Sequence, residues 1–174
     1  YNERYENDDI LLNFVTNHDE NSWNGTIKER MGDTSEILTV LSYVLPGMPL
    51  IYSGQEYDLS HRLKFFEKDS IPKVKGKTFD LLKELGKLKN TNLALNGGKE
   101  KATFDVLKSE KDVFILKRTK GNETLLFIAN FSKEAHEFSV SEKGVFTNFL
   151  TNKKVELTDR IFPIGANKYK ILVK

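Results

Sequence analysis

The sequence predicts an α/β segment followed by an all-β domain, an antiparallel β-sandwich, and three observations lead there. Two strand-like apolar runs, at residues 11–16 and 48–53, flank a helical period at 33–45. A second helical period follows at 78–90. From Lys101 onward the texture changes to short apolar runs separated by turn residues. Asn96-Gly97-Gly98 lies between the two textures, so residues 1–96 are expected to form one unit and 97–174 another.

The first run, Leu11-Leu12-Asn13-Phe14-Val15-Thr16, ends in a polar cluster, as a buried strand does where its C-terminal end meets solvent. In the 33–45 segment Asp33 is placed to accept a backbone N–H bond as N-cap, with Glu36 three residues on. Ile37, Leu38, Leu41, Val44 and Leu45 share one face. Pro46 and Gly47 stop this helix. Met48-Pro49-Leu50-Ile51-Tyr52-Ser53 reads as a second buried strand, its proline near the start and Gly54 at its end. Strand, helix, strand in this order predicts a parallel pair. In the 78–90 helix Leu81, Leu82, Leu85 and Leu88 fall on one face with lysines opposite.

In the second unit the expected strands are 102–107, 113–118, 123–131, 137–140, 145–150, 154–157 and 168–173. Turn chemistry separates them at Ser109-Glu110-Lys111-Asp112, Lys120-Gly121-Asn122, Gly144 and Gly165-Ala166-Asn167. An antiparallel sandwich is the economical architecture for such a set.

Composition excludes several function classes. The 27 basic residues are scattered among 25 acidic ones for a net charge of +2, which leaves no footprint for nucleic acid or an anionic membrane. Cysteine is absent, so disulfide frameworks and thiol nucleophiles are out and the redox compartment stays open. No run of about 18 apolar residues spans a bilayer. The chain opens on Tyr1-Asn2-Glu3-Arg4 without an initiating methionine, from which a mature or excised piece of a longer protein is expected. His61 and His136 have no ligand-spaced partner, and neither a metal nor a cofactor site is expected. Lys73-Val74-Lys75-Gly76-Lys77 reads as a solvated loop.

Asn17-His18-Asp19-Glu20 follows the first strand. Side chains of this kind at a strand terminus can hydrogen-bond vicinal sugar hydroxyls; in an Asx-type turn, Asn17 and Asp19 would instead bond only nearby backbone. The spacing leaves both readings open. Trp23 is placed either to stack on a sugar face or to cover a rim. Arg62 is expected in a structural ion pair with Glu56 or Glu67.

The run Phe14-Val15-Thr16-Asn17-His18-Asp19 closely resembles the seventh-strand motif of the α-amylase family. Pro46-Gly47-Met48-Pro49-Leu50-Ile51-Tyr52-Ser53-Gly54-Gln55-Glu56 resembles that family's eighth strand and its exit, in the same order and at a matching separation. His61-Arg62-Leu63-Lys64-Phe65-Phe66-Glu67-Lys68-Asp69 is similar to the loop that follows, and the 78–90 helix to the last barrel helix. Residues 113–118 with Asn130-Phe131-Ser132 are similar to the all-β C-terminal domain. The resemblance implies the last two βα units of a (β/α)8 barrel in residues 1–96 and an all-β domain in 97–174. It also implies a retaining glycoside hydrolase acting on α-glucosidic bonds of starch or maltooligosaccharides, which needs two carboxyls about 5–5.5 Å apart. In the family a third carboxylate assists. Asp19 matches it by motif position, with His18 and Asn17 on the substrate side at the C-terminal face of the barrel.

The family's nucleophile and general acid belong to its fourth and fifth strands, which these residues do not match. The chain alone is therefore expected to be inactive; Glu20 and Glu56 sit after the wrong strands to replace them. The alternative is a non-catalytic α-glucan-binding or scaffold module, which has no reason to carry the Asn17-His18-Asp19 strand. Two barrel strands without neighbours expose edges and an apolar face, and another copy of the chain is expected to cover them as a homo-oligomer.

Overall fold

Helical and strand signals of the first ninety residues meet in one unit, Ile10–Lys89, and the short strands in a second, Asn90–Lys174, which the described residues up to Asp9 join. The computed structural model of the chain describes residues 5–6, 8–110 and 112–174. The polar start at 1–4, and Lys111 of the turn expected at 109–112, lie outside the described residues. Contacts divide the chain at Lys89/Asn90, whereas the sequence texture changes at residue 96.

In the first unit β1 (Leu12–Asn13) pairs in parallel with β2 (Met48–Pro49). The ladder is far shorter than the runs predicted at 11–16 and 48–53. Nor are these runs buried throughout as expected: Val15 and Thr16 are, but Leu12 is 51% and Met48 52% exposed, and Ile10, Phe14 and Ile51 are open as well. The physical reason is that, among the described residues, β1 and β2 pair only with each other, so no further strand flanks them. Gly47 makes the pairing possible. Its φ is +121°, and a Cβ there would sit 2.5 Å from the Leu11 carbonyl oxygen, the atom that accepts the Met48 N–H at 2.8 Å. Asn13 closes the same corner by donating its amide to the Pro46 carbonyl at 2.9 Å.

Between the strands lie α1 (Ile27–Met31), a 3-10 turn (Gly32–Thr34) and α2 (Ser35–Val44). Thr26 caps α1 with a full capping box: its hydroxyl accepts the Glu29 N–H at 3.2 Å and the Glu29 carboxylate accepts the Thr26 N–H at 2.7 Å. This helix was not anticipated, although Thr26-Ile27-Lys28-Glu29 carries its signature. Asp33 is not the cap of α2; the 3-10 turn intervenes and Asp33 pairs with Lys28 at 3.0 Å instead. The predicted stop at Pro46-Gly47 is where α2 gives way to β2. It buries Ile37, Val40, Tyr43 and Val44, and burial raises the Tyr43 phenol above its ordinary value. α3 (Lys77–Thr91) buries Leu82, Leu85 and Leu88 of the predicted leucine face and leaves Leu81 half-buried.

The second unit is built on a six-stranded antiparallel sheet in the order β3-β4-β5-β10-β7-β8: β3 (Asp105–Glu110), β4 (Val113–Lys120), β5 (Glu123–Asn130), β7 (Gly144–Asn148), β8 (Lys154–Leu157) and β10 (Lys168–Val173). A two-stranded ribbon, β6 (His136–Phe138) with β9 (Phe162–Ile164), packs on it. Phe138 and Ile164 of the ribbon join Val113, Ile115, Leu126, Ile128, Phe146 and Leu172 of the sheet in one apolar cluster. Each such side chain, once buried, contributes about 1.5–3 kcal/mol. β5 is central and buried on both faces from Leu125 to Asn130. β9 is absent from the expected strands and carries Pro163 in its middle; the proline is tolerated on a ribbon with one pairing partner.

Two polar side chains are sealed inside this unit. Arg118 donates to the carbonyls of Thr103 at 2.8 Å and Asn96 at 3.0 Å, and burial pulls its guanidinium down to about 10. Asn130 donates its amide to the carbonyls of Glu134 (2.7 Å), Gly165 (3.0 Å) and Ile164 (3.3 Å), while its Oδ1 accepts the Ser132 N–H at 2.9 Å. It ties the end of β5 to the end of β9. Asn130→Ala removes these bonds and leaves the buried Ile164 carbonyl without its donor, and is expected to lower unfolding free energy by about 1–3 kcal/mol in urea titrations. Asn130→Asp, with a carboxylate against the same oxygens, should cost more; equal stability of either variant would show that the amide is not a strut.

Candidate functional site

The chain leaves β1 through Phe14 and Val15 and turns sharply at Asn17. The Asn17 Oδ1 accepts the Glu20 N–H at 2.8 Å, and its carbonyl accepts the Asn21 N–H at 2.9 Å, which starts a π-helical turn over Glu20–Asn24. Asn17 therefore makes the Asx-type turn, one of the two readings its position allowed. Arg30 locks the turn from behind, pairing with Glu20 at 2.8 Å and donating to the Val15 carbonyl at 3.1 Å. His18 and Asp19 point outward. Their side chains are 63% and 61% exposed and meet each other at 3.5 Å, Nε2 to Oδ2.

The loop after β2 comes back to this turn. Gly54, at φ +98°, swings the chain out of β2, and a Cβ there would meet Leu59 at 2.8 Å. The buried Asn21 accepts the Leu63 N–H at 2.7 Å, and Ser22 donates to the Leu63 carbonyl at 2.8 Å. Arg62 does form a structural ion pair, but neither Glu56 nor Glu67 is its partner. It grips Glu29 through two bonds of 3.2 Å, Nε to Oε2 and Nη2 to Oε1. Glu56 instead accepts the Gly54 N–H at 2.9 Å and Glu67 pairs with Lys64 at 2.8 Å. Asp69 accepts the N–H groups of Lys64 and Ser70, at 3.0 and 2.7 Å, and these hold its carboxyl below the ordinary value.

This stitching brings four rings together. Phe65 lies 5.2 Å from Trp23, 4.8 Å from Phe66 and 5.9 Å from the His18 imidazole, centroid to centroid. Trp23 is 57% and Phe66 84% exposed. Sequence reasoning singled out Trp23 and passed over Phe65 and Phe66. The signal was present: two adjacent large apolar residues inside the charged run Lys64 to Asp69.

A cavity of about 440 Å³ also opens in this unit, lined among others by Thr16, Asn21, Thr39, Tyr52, Gln55 and Thr78. Neither His18 nor Asp19 lines it. Its two polar atoms without a hydrogen-bond partner among the described residues, Thr16 Oγ1 and Gln55 Oε1, are covered by neighbouring atoms. The open carboxylate, imidazole and rings at Asp19, His18 and Trp23 make the better candidate. Glu20 and Glu56, the other carboxylates near these strand ends, are already engaged by Arg30 and by Gly54. Among the described residues no group of three or more His, Asp or Glu side chains gathers as a metal site, and no helix is long and apolar enough to cross a membrane.

The Arg62 grip, with the two Thr26 bonds, holds the Glu29 carboxyl down to about 2 against an ordinary 4.5. A depressed acid stabilises the fold fully above pH 4.5, and that contribution disappears as pH falls toward 2. Carbon-detected NMR titration of Glu29 is expected to show a midpoint near 2, and Arg62→Gln to move it up. A wild-type midpoint at the ordinary value would dissolve the clamp.

No protein-family model matches the chain, and no curated protein matches it. Solved structures do. An Anoxybacillus α-amylase aligns with a TM-score of 0.74 at 19% identity, covering 94% of this chain and 38% of that one. A noncanonic maltogenic α-amylase from Thermotoga neapolitana gives 0.80 at 18% identity, covering 98% and 42%. An α-amylase from Lactobacillus plantarum gives 0.75 at 17% identity, covering 99% and 40%. At these identities the likeness is one of fold, and this chain spans about two-fifths of the length of the structures it matches. The mixed helical and parallel unit, followed by the six-stranded antiparallel sheet, is thus a fold that α-amylase structures share.

Proposed function

We propose that this chain is the C-terminal portion of an α-amylase-type glycoside hydrolase. Residues 1–96 would supply the last two βα units of its (β/α)8 barrel and residues 97–174 the β-sandwich that follows. The observation that carries the reading is the Asp19 carboxylate beside the His18 imidazole, open to solvent just beyond the C-terminal end of a parallel strand, in a chain with an α-amylase fold. Enzymes of the barrel type place their chemistry at that end of the strands.

In this role Asp19 faces the sugar ring as positive charge develops at its anomeric carbon, and His18 bonds a ring hydroxyl. Asn17, its Oδ1 spent on the turn, orients the pair and presents its amide to the same ring. The nucleophile and the general acid are assigned to other strands of the whole enzyme, so this chain alone does not hydrolyse. The substrate class is α-glucan or maltooligosaccharide. Proteins sharing the fold have been crystallised with acarbose and with maltose, which supports that class.

The test is a 15N-NMR titration of the chain with maltotriose, beside an assay for released sugar. Shifts centred on residues 17–19, lost in Asp19→Ala, with no sugar released, are expected. Shifts confined to 105–173 would favour a non-catalytic glucan-binding module, and release of maltose or glucose would overturn the assignment of the nucleophile elsewhere.

The open row Ile10, Leu12, Phe14 and Met48 is the face that the rest of a barrel would cover. In the isolated chain a second copy takes that place. Light scattering should therefore report a dimer or larger species that dissociates in Leu12→Lys; a monomer at every concentration contradicts it.

A further inference from the structure

We infer that Trp23, Phe65 and Phe66 form a stacking platform for a second pyranose ring of the α-glucan, next to the ring that His18 and Asp19 hold. The inference rests on reading those two residues as substrate-side. Exposed aromatic rings are unfavourable in water, yet this loop spends several polar bonds on keeping them out. Asn21 and Ser22 fasten Leu63, the Arg62–Glu29 pair lies across the base, and Lys64 and Asp69 brace the loop from its far side. The rings are thus held in place by polar bonds of the loop that carries them.

Their geometry suits a sugar. Phe65 and Phe66 meet at 72°, and Trp23 and Phe66 at 62°, so the rings touch edge to face, and Trp23 and Phe66 stay more than half exposed. A pyranose has an apolar C–H face that lies on such a ring and a rim of hydroxyls for polar neighbours. Those neighbours are present: the His18 ring is 5.9 Å from Phe65, and Asp19 is 3.5 Å from His18. The cluster is also small. Three rings fall far short of the roughly 800 Å² per partner that a stable protein interface covers. They match one or two sugar units.

Trp23 is the single tryptophan of the sequence, so its fluorescence reports on the platform alone. Maltotriose is expected to shift Trp23 emission saturably, and glucose at the same concentration to leave it unchanged. Phe66→Ala removes a ring that is 84% exposed. It should weaken maltotriose binding about three- to tenfold while leaving the urea midpoint in place. The NMR signals of His18 and Asp19 are followed in the same titration. If they move while Trp23 emission stays fixed, or if Phe66→Ala binds as tightly as wild type, the platform is overturned and the reading of Asp19 stands. If neither moves, both fall. Emission that follows protein concentration and ignores sugar would make the rings a contact between copies, which also overturns the platform.

Discussion

The side-chain amide of Asn21 governs how the first unit presents its chemistry. It stands in the first turn after β1 and reaches across about forty residues of sequence to hold the backbone of Leu63. A buried amide with its oxygen in a 2.7 Å bond tolerates little displacement, since losing the bond would leave a polar group without water. The end of one strand and the loop that follows the other are thereby fixed as one surface. His18 and Asp19 come from the first, the two phenylalanines from the second. Ser22 and the Arg62–Glu29 pair add to that hold, so the surface rests on bonds between the two loops.

The second unit meets a similar demand with different means. β5 is buried on both faces, so its polar terminus needs partners inside the protein, and Asn130 finds them in the backbone of the β9 end. Arg118 plays the corresponding part on the neighbouring strand, reaching the backbone of Asn96 and Thr103. Both replace water with carbonyl oxygens, and both fix the chain where apolar packing alone would allow it to slide.

Local signals made much of this fold legible. The leucine spacing of α3, the stop at Pro46-Gly47, and the runs that became β4, β5, β8 and β10 all depend on neighbours in sequence, and the structure keeps them. Distant partners are what the sequence left undetermined. Arg62 had acidic residues close by in the chain, but its partner lies 33 positions away on α1, which was itself overlooked despite its capping box. The expectation that 11–16 and 48–53 are buried holds at Val15 and Thr16 and fails at Leu12, Phe14, Met48 and Ile51 for a related reason, because burial of a strand depends on what lies beside it. At the candidate site the motif pointed to Asn17, His18 and Asp19, and the geometry gives Asn17 a backbone to cap as well. Phe65 and Phe66 escaped notice because apolar residues in a charged loop acquire meaning only when a turn from another strand closes on them.

The strand order of the large sheet has a bearing on biosynthesis. β10, last in the sequence given, lies between β5 and β7, and it pairs with β5 along its whole length from Lys168 to Val173. Lys174 exchanges both backbone bonds with Thr124 just beyond it. Among the described residues the two halves of the sheet therefore meet only through a strand that is made after both of them. Until β10 is made, that edge of β5 has no strand to pair with, at a synthesis rate of about 5–20 residues per second. Loss of residues 168–173 would leave two half-sheets where one was encoded.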